Sequence, residues 1–190
     1  MLVIGVTGLP GAGKSIFSEV AKEFGIPVIS MGDLVKEQVK KLGLDITPEN
    51  VGKIAIKLRE KNGPDAVAKL VIEKILEEPS LKESKVLIID GIRSLAEVEL
   101  FKKHFENFII VAIHAPPNQR YQRLLARGRR DDAASLEKIL ERERRELSFG
   151  IGNVIALANY ILVNDGTIQE FKVKVREFLR KIISQAIKDE

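Results

Sequence analysis

The chain has 190 residues, of which 45% are hydrophobic and 31% charged, with a formal net charge of +4. That length and apolar content suit one α/β domain with a proper core and a small insertion. With no cysteine in the chain, disulfides, zinc–thiolate sites and thiol catalysis are excluded.

No apolar run approaches the roughly 18 residues that crossing a membrane requires. The N-terminus opens directly on a strand and lacks the charged start of a signal peptide, so a cytoplasmic protein is expected. The cationic balance fits phosphorylated partners or nucleic acid.

Residues 1–7 read as a short buried strand. Gly8, Leu9, Pro10, Gly11, Ala12, Gly13, Lys14 and Ser15 follow as G-x-x-x-x-G-K-S with every fixed position filled. The glycines allow a tight turn whose N–H groups point inward at a phosphate chain. Lys14 can reach the β- and γ-phosphates, and the Ser15 hydroxyl can hold Mg²⁺. Residues 15–24 put Ile16, Phe17, Val20, Ala21 and Phe24 on one helical face. The N-terminus of that helix completes the anion site.

A short strand is expected at 26–30 and a helix at 33–42. Asp33 there can anchor a nucleoside, act as general base toward an acceptor hydroxyl, or simply cap the helix. Thr47 with Pro48 opens a helix to about residue 61. Asn62 and Gly63 break it, and Pro64 starts another that ends near 77.

Residues 85–90 form an apolar strand buried on both faces. Asp90 at its end is placed to contact Mg²⁺, or to cap the turn into Gly91. Arg93 can grip a second phosphate in a bidentate fork, or pair with Glu97. Ser94 and Glu97 form a capping box, opening a helix to about 104.

Residues 108–114 are a fourth strand and 117–127 a helix. A basic turn follows, then a helix at 136–147. Gly150 and Gly152 are expected to loosen the chain before a fifth strand at 160–164. Asp165 and Gly166 turn into a long final helix capped by Thr167 and Glu170.

Strands alternating with helices predict an α/β fold, with helices on both faces of a five-stranded parallel sheet. Ligands then bind at the carboxyl ends of the strands, which carry Gly8, Ser30, Asp90, His114 and Asn164. His104 reads as a surface residue and His114 as a sheet-edge residue; neither has neighbours that suggest a triad or a metal cluster.

Arg120, Arg123, Arg127, Arg129 and Arg130 place five arginines within eleven residues, and Arg142, Arg144 and Arg145 follow on the next helix. Phosphoryl transfer spreads negative charge that inserted arginines stabilise, and about three or four of these eight are expected to touch phosphate. The others should pair with Asp131, Asp132, Glu141, Glu143 or water, with Arg120 and Arg144 on a solvated face. The cluster is short and no aromatic residues interleave it, so nucleic acid is not the expected partner.

These residues resemble a family. The strand, phosphate loop and helix, followed by Ile26, Pro27, Val28, Ile29, Ser30, Met31, Gly32, Asp33, Leu34, Val35 and Lys36, resemble the opening of adenylate kinases and related nucleoside-monophosphate kinases. In that family an I-P-x-I-S-T-G-D-L-x-R run lines the acceptor pocket; Met31 and Lys36 depart from it. Asp90, Gly91, Ile92 and Arg93 resemble the family's D-G-x-P-R, whose arginine binds the acceptor phosphate, though here the turn is shorter and lacks the proline.

Arg123 and Arg127 resemble the R-x-x-x-R that opens the lid. The resemblance implies the first on donor adenine and the second on phosphates. The segment from Gly152 to Gly166, with Asn164, is similar to the A-D-x-x-I-x-N-x-G of dephospho-CoA kinases and places Asn164 at the donor nucleotide. The whole chain is most similar to an archaeal group of nucleotide-kinase-related P-loop proteins that blends the two.

The resemblance implies a single P-loop NTPase domain over 1–190, a three-layer α/β/α fold with a helical acceptor-side insertion at about 32–78 and a short helical lid at about 128–141. It implies an ATP- and Mg²⁺-dependent phosphotransferase acting on a nucleotide or nucleotide-like small molecule. Lys14, Ser15 and Asp90 serve the donor and metal, and Arg93 with Asp33 the acceptor. Arg127, Arg129 and Arg142 or Arg145 close over the reaction. Two other readings stay open: phosphorylation of a hydroxyl as in dephospho-CoA kinases, and a nucleotide-binding regulatory ATPase with no acceptor.

Overall fold

The computed structural model describes residues 1–127 and 135–188, without the side chains of 127 and 186–188. Five strands, β1 (Leu2–Thr7), β2 (Val28–Ser30), β3 (Val86–Asp90), β4 (Asn107–His114) and β5 (Tyr160–Val163), form one sheet in the order β2-β3-β1-β4-β5. Every pairing is parallel, with Val6 opposite both Asp90 and Val111 at the carboxyl end. Parallel strands need crossovers, and helices supply them on both faces.

One face packs against α1 (Lys14–Glu23) and α10 (Ile168–Lys188). There Ile4, Val6, Ile88, Val111 and Ile113 meet Phe17, Val20, Phe171 and Leu179. The other face is covered by α2 (Met31–Lys41), α4 (Ala66–Glu77), α6 (Leu95–His104) and α9 (Ile151–Ala156). There Val3, Leu87, Ile89 and Ile110 meet Met31, Val71, Phe101 and Val154. Alternation along β1 sends successive residues to opposite cores, which is why the whole strand is buried and apolar. α3 (Pro48–Asn62) and the short α5 (Pro79–Lys82) extend the second layer; α7 (Pro117–Arg127) and α8 (Leu136–Ser148) lie beyond the carboxyl ends of the sheet.

Several expectations need correction. α2 starts at Met31, because the Ser30 hydroxyl accepts the Asp33 amide at 3.2 Å. Ser30 is therefore the cap, and Asp33 stands in the first turn. α4 starts at Ala66 rather than Pro64, and α5 was not expected. β2 begins at Val28; the Pro27 carbonyl still accepts from Ile88, but proline has no N–H to continue the ladder. The chain after Gly150 is not loose. Gly150 takes a left-handed φ of 100°, which ends α8 and opens α9, and α9 buries Ile151 and Val154.

Candidate active site

The phosphate loop joins β1 to α1. Gly13, the cap of α1, has φ 115°, and a Cβ there would lie 2.3 Å from Asn164 Nδ2. Only glycine meets both demands. Asn164 is 2% exposed and donates from Nδ2 to the Ala12 carbonyl at 2.8 Å, while its own amide donates to the His114 carbonyl at 2.7 Å. Asn164, expected at the donor nucleotide, supports the phosphate loop with its side chain. Ser15 is exposed in the first turn of α1.

Lys14 turns its ammonium back onto the loop, donating to the carbonyls of Gly8 and Leu9. Burial lowers its pKa to about 8, against the opposing pull of Glu146 and Asp90. Asp90 ends β3. Its Oδ2 accepts from the Ser18 hydroxyl at 3.4 Å, and its buried Oδ1 has no hydrogen-bond partner. Burial pushes its pKa up, opposed by Lys14 and Arg93. A buried carboxylate oxygen left unpaired at the end of β3 suits a hard cation, which takes oxygen ligands and keeps much of its water. Among the described residues no cluster of three or more acidic, histidine or cysteine side chains could hold a metal by itself.

Arg93 follows two residues after Gly91 and donates from Nη1 to its carbonyl at 2.8 Å. Its side chain does not pair with Glu97, the bland alternative. Glu97 accepts instead from the Arg93 and Ser94 amides and from Arg59 Nη2 at 2.7 Å, and is fully buried. The Arg93 guanidinium faces Glu146, with Nε 3.4 Å from Oε2. Arg142 approaches the same carboxylate from its own helix, Nε to Oε1 at 3.2 Å. Burial would raise the Glu146 pKa, but Arg93, Arg142 and Lys14 together hold it at about 2. Glu146 thus stays ionised at the centre of three cations. Burial alone would lower the pKa of Arg93; Glu146, Glu97 and Asp90 raise it.

Arg145 lies against α3, where a Cβ on Gly52 would come within 2.6 Å of its Nη1. Burial lowers its pKa. Arg123 donates from Nη1 and Nη2 to the Asn164 carbonyl, both at 3.1 Å, and from Nη2 to Gln119. Asp33 is exposed and pairs with Lys36 at 3.2 Å. Met31 is fully buried and fills the core beneath α2. Arg127 closes α7, with its side chain outside the described residues, as is all of Arg129. The described part of the expected lid, from Ser135, is the cap and first turns of α8.

Arg120 was expected on a solvated face, and the structure corrects this: it is buried, pairs with Glu143 and donates to the carbonyls of Pro10 and Ala115. Arg144, by contrast, is exposed, as are both histidines. Sequence reasoning missed Glu146, Arg59 and Phe149, over whose ring the Arg59 guanidinium stacks at 4.2 Å. The Arg142–Glu146 spacing of four was a readable signal for an ion pair along one helix face; that the pair would be buried was not.

Among the described residues no helix is long and apolar enough to cross a membrane. The family model described as an AAA domain matches residues 7–140. A UPF0200 protein of Thermococcus onnurineus is 50% identical over 97% of this chain and all of its own length. Another from Methanocaldococcus jannaschii is 46% identical over 97% of this chain and 92% of its own. Among solved structures, TT1252 from Thermus thermophilus aligns with a TM-score of 0.59 at 19% identity, covering 95% of this chain and 97% of its own. Shikimate kinase from Acinetobacter baumannii, in complex with shikimate, aligns with a TM-score of 0.59 at 16% identity, covering 97% and 94%. These likenesses establish the fold of P-loop kinases. By the family model and by identity along nearly its whole length, the chain belongs to the AAA-domain P-loop proteins and, within them, to the archaeal UPF0200 family.

Proposed function

We propose that the protein is a phosphotransferase that moves the terminal phosphoryl group of ATP to a nucleotide or nucleotide-like acceptor bearing an anionic group. The observation that carries this reading is the convergence of Lys14, Arg93 and Arg142 around Glu146, with Asp90 at the end of β3 acting on Lys14 and Arg93. A phosphate loop alone binds a nucleotide. A second set of cations, the partly buried Arg93 and Arg142, provides for a second anion.

Backbone N–H groups of residues 11–15 and the start of α1 cradle the donor phosphates. Lys14 releases the Gly8 and Leu9 carbonyls and neutralises the transferring group. Ser15 and Asp90 are the residues that would hold magnesium, which when bound draws charge from the donor phosphates. Arg93, Arg142 and Arg145 grip the acceptor's anionic group. Arg123, held along its edge by the Asn164 carbonyl, offers a planar face to the donor base. Arg127 and Arg129, with the lid expected at residues 128–141, would close over the reaction and exclude water. The α2–α4 helices, within residues 32–78, cover the acceptor.

Asp33 would serve as the base toward a hydroxyl acceptor, while a monophosphate acceptor needs none. Incubation with Mg·ATP and, in parallel, AMP, CMP, GMP, UMP, dephospho-CoA or no acceptor tests the proposal. Acceptor-dependent ADP with a matching phosphorylated product is the expected result. ADP formed equally with and without acceptors overturns the kinase reading in favour of an ATPase.

A further inference from the structure

Arg120 is 3% exposed, and each of its contacts leads to a different part of the site. Nη1 donates to the Pro10 carbonyl of the phosphate loop at 3.2 Å, and Nε donates to the Ala115 carbonyl at 3.1 Å. Nη1 also pairs with the Glu143 carboxylate of α8, and the Tyr121 hydroxyl donates to the other oxygen of that carboxylate at 2.9 Å. The loop is packed against the same stretch of α7: a Cβ on Gly11 would lie 2.6 Å from the Arg120 carbonyl oxygen.

A loop that offers N–H groups to phosphate must turn its carbonyls elsewhere, since a carbonyl oxygen facing phosphate repels it. Two carbonyls of the loop are held by side chains from outside, Ala12 by Asn164 and Pro10 by Arg120. A planar fork can serve two carbonyls and a carboxylate at fixed angles, which a lysine cannot. A buried guanidinium in turn needs its counter-ion, and Glu143 supplies it from α8. The same helix carries Glu146, the partner of Arg93.

We propose that Arg120 is a positioning residue of the donor site: it holds the Pro10 carbonyl out of the phosphate cradle, and its pairing with Glu143 makes that hold depend on where α8 lies. This rests on the reading of the loop as the ATP site. Arg120 touches no phosphate; it acts through the loop. Movement of α8 withdraws the counter-ion from Arg120 and loosens Pro10, so that the donor loop senses the helix that also contacts the acceptor arginine.

The test is calorimetric titration of Mg·ATP into the wild-type chain and the Arg120→Met, Arg120→Lys and Glu143→Gln variants, with amide hydrogen exchange on each. Arg120→Met should weaken Mg·ATP by about tenfold or more, the scale of one charge-assisted hydrogen bond. Arg120→Lys should recover part of that, and Glu143→Gln should show a smaller loss that does not add to that of Arg120→Met. Exchange should quicken at residues 11–14 and stay unchanged in β3 and β4. Mg·ATP affinity within twofold of wild type in Arg120→Met overturns the proposal. So does a rise in exchange spread evenly over the core, which marks a purely structural loss. If Arg120→Met does not fold, the partly exposed Glu143→Gln decides by the same two readouts. Failure of the wild-type chain itself to bind Mg·ATP removes the donor-site reading, and this inference with it.

Discussion

Glu143 and Glu146 stand three residues apart on α8 and pair with opposite halves of the site. Glu143 meets Arg120 behind the phosphate loop, and Glu146 meets Arg93 beyond the end of β3. One turn of helix therefore touches both Arg120, which holds the phosphate loop, and Arg93. Lys138 and Arg145 of the same helix reach α3, through Glu49 and against Gly52. α8 thus touches Arg93, α3 and, through Arg120, the phosphate loop.

Lys14→Met is expected to lower phosphoryl transfer by about 10²–10³-fold, the scale for losing one preorganised charge at the reacting group. The fold should persist, because Lys14 donates its hydrogen bonds to Gly8 and Leu9 of its own loop. Steady-state rates with Mg·ATP beside a circular-dichroism melt would check it. An unchanged rate would remove Lys14 from the chemistry.

Arg93→Lys should raise the acceptor KM by about tenfold while leaving the ATP KM near wild type, since lysine keeps the charge but not the fork. The contact with Glu146 runs through Nε, an atom lysine cannot place there. If the ATP KM rises instead, Arg93 belongs to the donor side.

Stability should fall at acid pH through Glu146. Its pKa is about 2 in the fold against 4.5 ordinarily, so it is depressed. Its contribution is then fully present above about 4.5 and is lost as pH falls toward 2. At about 1.4 kcal/mol per unit the loss is on the order of 3 kcal/mol. Glu146→Gln should be clearly less stable than wild type at pH 7, because Arg93 and Arg142 lose a buried counter-ion. The gap should narrow between pH 4.5 and 2. Urea midpoints measured across that range check this; a gap independent of pH would refute the assignment.

Asp33→Asn separates the acceptor classes. With a hydroxyl acceptor the rate should drop by about 10²–10⁴-fold, the usual worth of a general base. With a monophosphate acceptor the change should be small, because only the exposed pair with Lys36 is lost. The kcat measured on the acceptor found in the panel decides between them.

Much of this protein is written locally in its sequence. The glycine spacing, with Lys14 and Ser15, specifies a phosphate loop, because backbone sterics and reach follow from residue type alone. The apolar runs at β1 and β3 demand burial on both faces, hence a parallel sheet with helices above and below. Ser94 with Glu97 and Thr47 with Pro48 mark their helix starts, since caps act within one turn.

The misreadings came where contacts are distant. Arg120 looks like any helix-surface arginine until Pro10, 110 residues away, and Glu143 are brought to it. The bond from Asn164 to Ala12, 152 residues away, is likewise invisible along the chain. Glu146 is one of many helix acids until packing removes its water and three cations replace it. Hydrogen bonds, desolvation and ion pairing act over a few ångströms of space and carry no signature along the chain. The sequence by itself determined that a phosphate loop follows β1 and that it lies at the carboxyl end of that strand. Only the tertiary structure decided which charges come together, Arg93 and Arg142 on Glu146 and Arg120 on Glu143 and the phosphate loop, because, Arg142 apart, those contacts join distant parts of the chain.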